Sequence, residues 1–139
     1  MYKKILLASD GSDNAERAAK EAAGLAEELS SQIILTYITG TPPQSKLVKD
    51  NFDVHKVLKD DAEKKIKQTI SALTEKEIPY TLKVAIGDPA DEIIRIAEKE
   101  KADLIILGSR GLGTIKGVVL GSVSRKVTHS AECPVMIIK

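Results

Sequence analysis

A chain of 139 residues is about one domain, long enough to bury a core without disulfides or metals. Hydrophobic residues make up 42% and charged residues 29%, which excludes a disordered tail, and 21 basic against 20 acidic residues leave a formal net charge of +1, which excludes capture by nucleic acid through bulk charge. The one cysteine, Cys133, forms no internal disulfide, no metal-ligand cluster surrounds His55 or His129, and no apolar run approaches a membrane span.

The first apolar run is "ILLAS", residues 5 to 9, within a basic start too short in apolar length for a signal segment, so the chain is expected to stay in a reducing cytoplasm. Then Ala15, Ala18, Ala19, Ala22, Ala26 and Leu29 recur at helical spacing, and this stripe of small residues predicts a helix packed close to a sheet, capped by Ser12 or Asp13. A second run, "IILTYI" (33 to 38), precedes "GTPPQSKLVKDNFD", whose prolines and mixed charges predict a long loop. Leu58, Ala62, Ile66, Thr69, Ile70 and Leu73 form the stripe of a second helix.

The third run, "YTLKVAI" (80 to 86), alternates in the manner of a strand at a wetter edge. A third helix follows with clear punctuation: Asp88 as N-cap, Pro89 at the first helical position, acidic Asp91 and Glu92, and Ile93, Ile94 and Ala97 facing inward. "DLIILG" (103 to 108) and "PVMIIK" (134 to 139) are the last strands, separated by a glycine-rich stretch and a helix from about Gly117 or Ser122 towards Ser130. Nearly continuous apolar runs alternating with helices predict an α/β fold with buried parallel strands in an open, doubly wound sheet, and in such sheets ligands bind beyond the carboxyl ends of the strands where the winding reverses.

Two stretches reach that crevice: "ASDGSDN" after the first strand and "GSRGLGTIKGVVLGS" after the fourth. The second holds five glycines of the chain's nine, in the spacing G-x2-G-x9-G-S through Gly108, Gly111, Gly121 and Ser122, with Gly113 and Gly117 inside. Backbone N–H groups without side chains in the way form an anion nest, and a serine at a helix N-terminus adds a hydroxyl, which together suit a polyphosphate. A Walker loop is excluded because Gly121 stands where its lysine belongs, and the dinucleotide fingerprint because the glycines follow the fourth strand rather than the first. A flexible turn-rich loop is the competing explanation, and the position of the cluster favours phosphate. Lys116, Arg110 and Arg125 are candidate phosphate partners, though exposed basic residues are most often only solvated.

With "KKILLASDGSDNAERAAKEAAGLA", "GDPADEIIRIAEKEKADLIILGSRG" and "GSVSRKVTHSAECPVMIIK", the chain resembles the ATP-binding branch of the universal stress protein family over essentially its whole length, residues 1 to 139. The resemblance implies a Rossmann-like sheet of five parallel strands in the order 3-2-1-4-5 with helices on both faces, similar to the adenine nucleotide alpha hydrolases. It implies ATP between strands one and four, and the charge of a polyphosphate there suits a hydrated Mg²⁺. It places Asp10 by the adenosine, Ile38 against the adenine, and Gly108, Gly111, Gly121 and Ser122 at ribose and phosphates. Ala8, Arg110, Gly113, Val123 and Ser124 complete the expected nucleotide contacts, with no catalytic residue and no protein metal ligand. Ala8 and Ser9 replace a commoner proline and threonine, and Tyr37 stands where histidine is frequent.

The resemblance further implies a homodimer, and Val135, Met136, Ile137 and Ile138 form an apolar edge strand without an inward charge to protect it, a template for a second copy. Two functions fit: a stress-response protein that binds ATP with slow or no hydrolysis, or an ATP-using enzyme, since "SDGSD" resembles the first-strand loop of ATP pyrophosphatases. Asp10 occupies a glycine position that loop needs, and no motif for a general base or an acceptor site is present, which favours binding.

Overall fold

The structure is a computed structural model that describes residues 1–40, 54–110 and 120–139. Its strands are β1 (Lys4–Ala8), β2 (Gln32–Thr39), β3 (Tyr80–Ile86), β4 (Leu104–Gly108) and β5 (Val135–Ile138). Its helices are α1 (Asp13–Leu29), α2 (Val54–Lys65), α3 (Lys67–Glu75), α4 (Pro89–Glu100) and α5 (Ser122–Ser130). The five strands form one parallel sheet in the order β3-β2-β1-β4-β5.

Strand periodicity divides the core. One face carries Ile5, Leu7, Ile33, Leu35 and Ile106 against the alanine stripe of α1 and Ala62, Ile66 and Leu73 of α2 and α3. The other carries Leu6, Ile34, Ile105 and Leu107 against Ile93, Ile96 and Ala97 of α4 and Val127 of α5. Because β1, β2 and β4 are covered on both sides they read as unbroken apolar runs, whereas β3, at an edge, is only half-buried. In α4 the burial falls on Ile93, Ile96 and Ala97, with Ile94 only half-buried, one helical step away from the expected inward set.

Two helix starts resolve alternatives. Ser12 caps α1, its hydroxyl accepting the Ala15 N–H at 3.1 Å, while Asp13 begins the helix. Gly121 is the N-cap of α5, which therefore starts at Ser122. The second predicted helix is two: α2 and α3 meet at Ile66, whose φ of −111° and ψ of 29° interrupt the coil while its side chain stays fully buried. The loop predicted after β2 lies, from residue 41 to 53, outside the described residues.

The connection from β1 to β2 runs over one face through α1, and that from β3 to β4 over the other through α4, so the winding reverses between β1 and β4. Their carboxyl ends separate there and leave a crevice.

Candidate functional site

A cleft of about 230 Å³ occupies that crevice. It begins at the carboxyl end of β1, where Ala8 and Asp10 line it, and Ile38 from the end of β2 forms part of its wall. Gly108 and Arg110 enter from the end of β4, and Gly121, Ser122, Val123 and Ser124 from the start of α5. Nine of the eleven residues expected to hold a ligand thus surround one opening; the other two, Gly111 and Gly113, lie outside the described residues, as do Lys116 and Gly117.

The lining of the cleft is of two kinds. Ala8, Ile38, Ile93 and Leu107 give it apolar surface. The N-termini of α1, α4 and α5 open onto it through Ser12, Pro89 and Ser122, and first-turn N–H groups without intrahelical acceptors direct positive potential towards it. The helix ends favour an anion and the apolar wall a flat apolar group.

Hydrogen bonds decide which groups are available. The Gly121 N–H donates to the Ser109 carbonyl at 2.7 Å, and the buried Ser124 hydroxyl donates to the same carbonyl at 2.8 Å. Neither is therefore a free donor towards the cleft, contrary to a nest that uses the Gly121 amide; among the described residues the first-turn amides of α5, the exposed Ser122 hydroxyl and the Arg110 guanidinium are donors beside it. Gly121 has φ −73° and ψ 170°, a conformation open to any residue, so backbone geometry does not require glycine at 121. At Gly108 the requirement comes from the fold: a Cβ would lie 2.9 Å from Asn14 Cβ and 3.2 Å from its carbonyl carbon and oxygen, because α1 crosses β4 that closely.

Asn14 is a residue the sequence did not single out. It is buried, its amide donates to the Ser109 hydroxyl at 3.2 Å, and its carbonyl oxygen accepts from Arg17. Ser109 in turn donates its N–H to Ile138, so α1, β4, β5 and the start of α5 are joined around one residue at the rim of the cleft. Pro89 and Ile93 of α4 and Thr36 of β2 also line the cleft. The signals for them were an inward-facing α4 and a polar residue interrupting "IILTYI".

Asp10 is a turn residue as well as a lining one, since its carboxylate accepts the Ser12 N–H at 2.9 Å. Arg125 is exposed and its guanidinium donates to the Leu120 carbonyl at 3.3 Å. The wall from α4 is tied to α5 by Lys126, which meets Asp88 at 3.3 Å and Asp91 at 2.8 Å. The Asp91 N–H, followed by Lys126, holds the Asp88 carboxyl below the usual carboxylate range, and the two carboxylates push Lys126 up. His55 and His129 are exposed, and Cys133 is half-buried in a groove of about 180 Å³ at the amino ends of β4 and β5, where burial pushes its thiol up. Among the described residues there is no group of three or more His, Cys, Asp or Glu able to hold a metal ion, and no helix long and apolar enough to cross a membrane.

The universal stress protein family model matches residues 1–139. The universal stress protein in the QAH/OAS sulfhydrylase 3′ region of Thermus aquaticus is 36% identical over 140 residues, covering 100% of both chains. The solved structure of MJ0577, a universal stress protein of Methanocaldococcus jannaschii, superposes with a TM-score of 0.82 at 29% identity over 100% of this chain and 96% of that one. The universal stress protein of Archaeoglobus fulgidus, solved in complex with dAMP, shares the fold with a TM-score of 0.71 at 24% identity over 99% of this chain and 98% of that one. With the family pattern running from the first residue to the last, the chain belongs to the universal stress protein family.

Proposed function

We propose that the protein binds ATP in the cleft between β1 and β4 and acts as a nucleotide-dependent regulator of a stress response in the cytoplasm, with hydrolysis slow or absent. The observation that carries this reading is the mixed lining of the cleft. Its apolar wall of Ala8, Ile38, Ile93 and Leu107 suits adenine, and the helix N-termini that open onto it suit phosphates. A universal stress protein solved with dAMP supports an adenine nucleotide as a ligand within the family.

In this reading Asp10 lies by the adenosine, Ile38 against the base, Gly108 and Arg110 by the ribose and phosphates, and Ser122, Val123 and Ser124 offer amides to the phosphate chain. Gly111 and Gly113 of the same glycine spacing are assigned to the phosphates as well. Gly121, the N-cap of α5, is assigned to the phosphates with them. Because no acidic cluster is available among the described residues, a Mg²⁺ ion would be held by phosphate oxygens and water. Binding is favoured over turnover because the carboxylate at the cleft, Asp10, is engaged with the Ser12 N–H, and both described histidines are exposed.

We further propose a homodimer through β5. It is an outer strand of the sheet, and Met136 is 37% exposed there. Mass spectrometry of the small molecules released on denaturing purified protein tests the ligand. Intact ATP is expected. Recovery of ADP or AMP alone after loading with ATP would support the enzyme alternative, and a nucleotide-free protein that also fails to take up added ATP would overturn the reading.

A further inference from the structure

We propose that the Thr36 hydroxyl reads the polar edge of the base, so that the cleft selects a purine carrying a hydrogen-bonding group at ring position 6 over one that carries only hydrogen there. The proposal rests on the nucleotide reading above and deepens it. Thr36 breaks an otherwise apolar run on β2 and shares a face with Ile34 and Ile38, the face that packs against α4. It is 1% exposed, lines the cleft, and is paired across the ladder with Ala8. The same cleft is walled by the apolar Ala8, Ile38, Ile93 and Leu107.

A hydroxyl in such a place is expected to have a good partner. Its hydrogen bond runs to the Ile34 carbonyl of its own strand at 3.4 Å, beyond the span of about 2.5–3.0 Å normal for O–H···O. Valine has the same shape and would bury no polar atom, so the fold alone gives no reason for threonine here. The other buried or capping hydroxyls of the cleft are committed elsewhere. Ser9 pairs with Thr69 at 2.8 Å on the opposite face, Ser12 caps α1, and Ser124 donates to Ser109. Among the described residues Thr36 is therefore the buried hydroxyl of the cleft with bonding capacity to spare.

Chemistry sets what it prefers. A hydroxyl has one hydrogen to give and two lone pairs to accept with. With the hydrogen directed at Ile34, even weakly, the lone pairs are left for a donor, which is what the exocyclic amino group of adenine supplies. Turning the hydrogen towards a 6-keto group gives up the Ile34 contact, so 6-oxopurines rank second. A ring with hydrogen at position 6 satisfies neither and leaves the buried hydroxyl as it was.

The test is a calorimetric titration of four pairs: wild type and Thr36→Val, each with ATP and with purine riboside triphosphate. Wild type is expected to prefer ATP by about fivefold to tenfold, the worth of one neutral hydrogen bond. Thr36→Val should bind both nucleotides alike, with the affinity wild type shows for purine riboside triphosphate, while its unliganded melting temperature stays level or rises. Thr36→Ser should restore the preference. If Thr36→Val keeps the preference for ATP, or weakens both nucleotides equally, Thr36 does not read the base and the proposal is overturned. If folded wild type binds neither nucleotide, the nucleotide reading itself fails and this proposal with it, an outcome distinct from binding without discrimination.

Discussion

Gly108 and Gly24 show how differently one residue type behaves in this chain. A Cβ at Gly24, within α1, would meet nothing within 4 Å, whereas at Gly108 it would press on Asn14 at 2.9 Å. Gly24→Ala should therefore raise stability by about 0.5–1 kcal/mol through helix propensity. Gly108→Ala should lower it by about 1–3 kcal/mol, as overpacking does. Thermal or urea unfolding of the two variants checks both signs, and a neutral Gly108→Ala would mean that α1 does not approach β4 as closely as described. The sequence singled out the glycine cluster without showing what each member meets. Gly108 answers to a helix about a hundred residues away in sequence, and only the folded contact reveals it. At Cys133, with burial raising its thiol and the Asp103 carboxylate adding to that, alkylation by iodoacetamide at pH 7.5 should be slower than for a free thiol.

At the scale of elements, the strongest local signals were at α4. "DPADE" supplied a cap, a proline and first-turn acids, and the structure has Asp88 accepting the Asp91 N–H at 3.0 Å with Pro89 opening the helix. The folded Asp88 pKa lies below its ordinary value, so its stabilisation is complete above the ordinary carboxylate range and is lost as pH falls through the lowered folded value. Asp88→Ala should accordingly cost about 1 kcal/mol near pH 7, and the gap from wild type should shrink below about pH 4. A gap that stayed constant to pH 2 would contradict the capping role. The break between α2 and α3 was not legible, because the apolar stripe runs on from Leu58 to Leu73 with no glycine or proline to mark an end. The junction lies against the turn after β1, where Gly11, at φ +84°, packs so close to the Lys65 carbonyl that a Cβ would come within 2.5 Å of its oxygen. The same turn holds Asp10 and Ser12.

The whole molecule was the most legible level: strand–helix alternation and the apolar runs of β1, β2 and β4 lead to an open, doubly wound parallel sheet, and the order β3-β2-β1-β4-β5 found in the structure is the one the family resemblance implied. The crevice follows from the winding reversal, so its position could be stated before its lining. Its lining could be stated only in part: the glycine motif pointed to residues after β4, while Thr36, Pro89 and Ile93 reach the cleft by packing, and Asn14 supports its rim through Ser109. The same topology leaves β5 outermost, and light scattering should give twice the chain mass for wild type, while Met136→Pro, which removes a backbone donor in mid-strand, should give monomer or aggregate. Monomeric wild type at high protein concentration would exclude pairing through β5. The central claim is that an adenine nucleotide occupies the cleft between β1 and β4, and an NMR titration of labelled, nucleotide-free protein with ATP tests it most directly. Saturable amide shifts are predicted at Ala8, Asp10, Ile38, Gly108 and the first turn of α5, with smaller changes under GTP; shifts absent there, or gathered instead around Cys133 and the amino ends of β4 and β5, would contradict it.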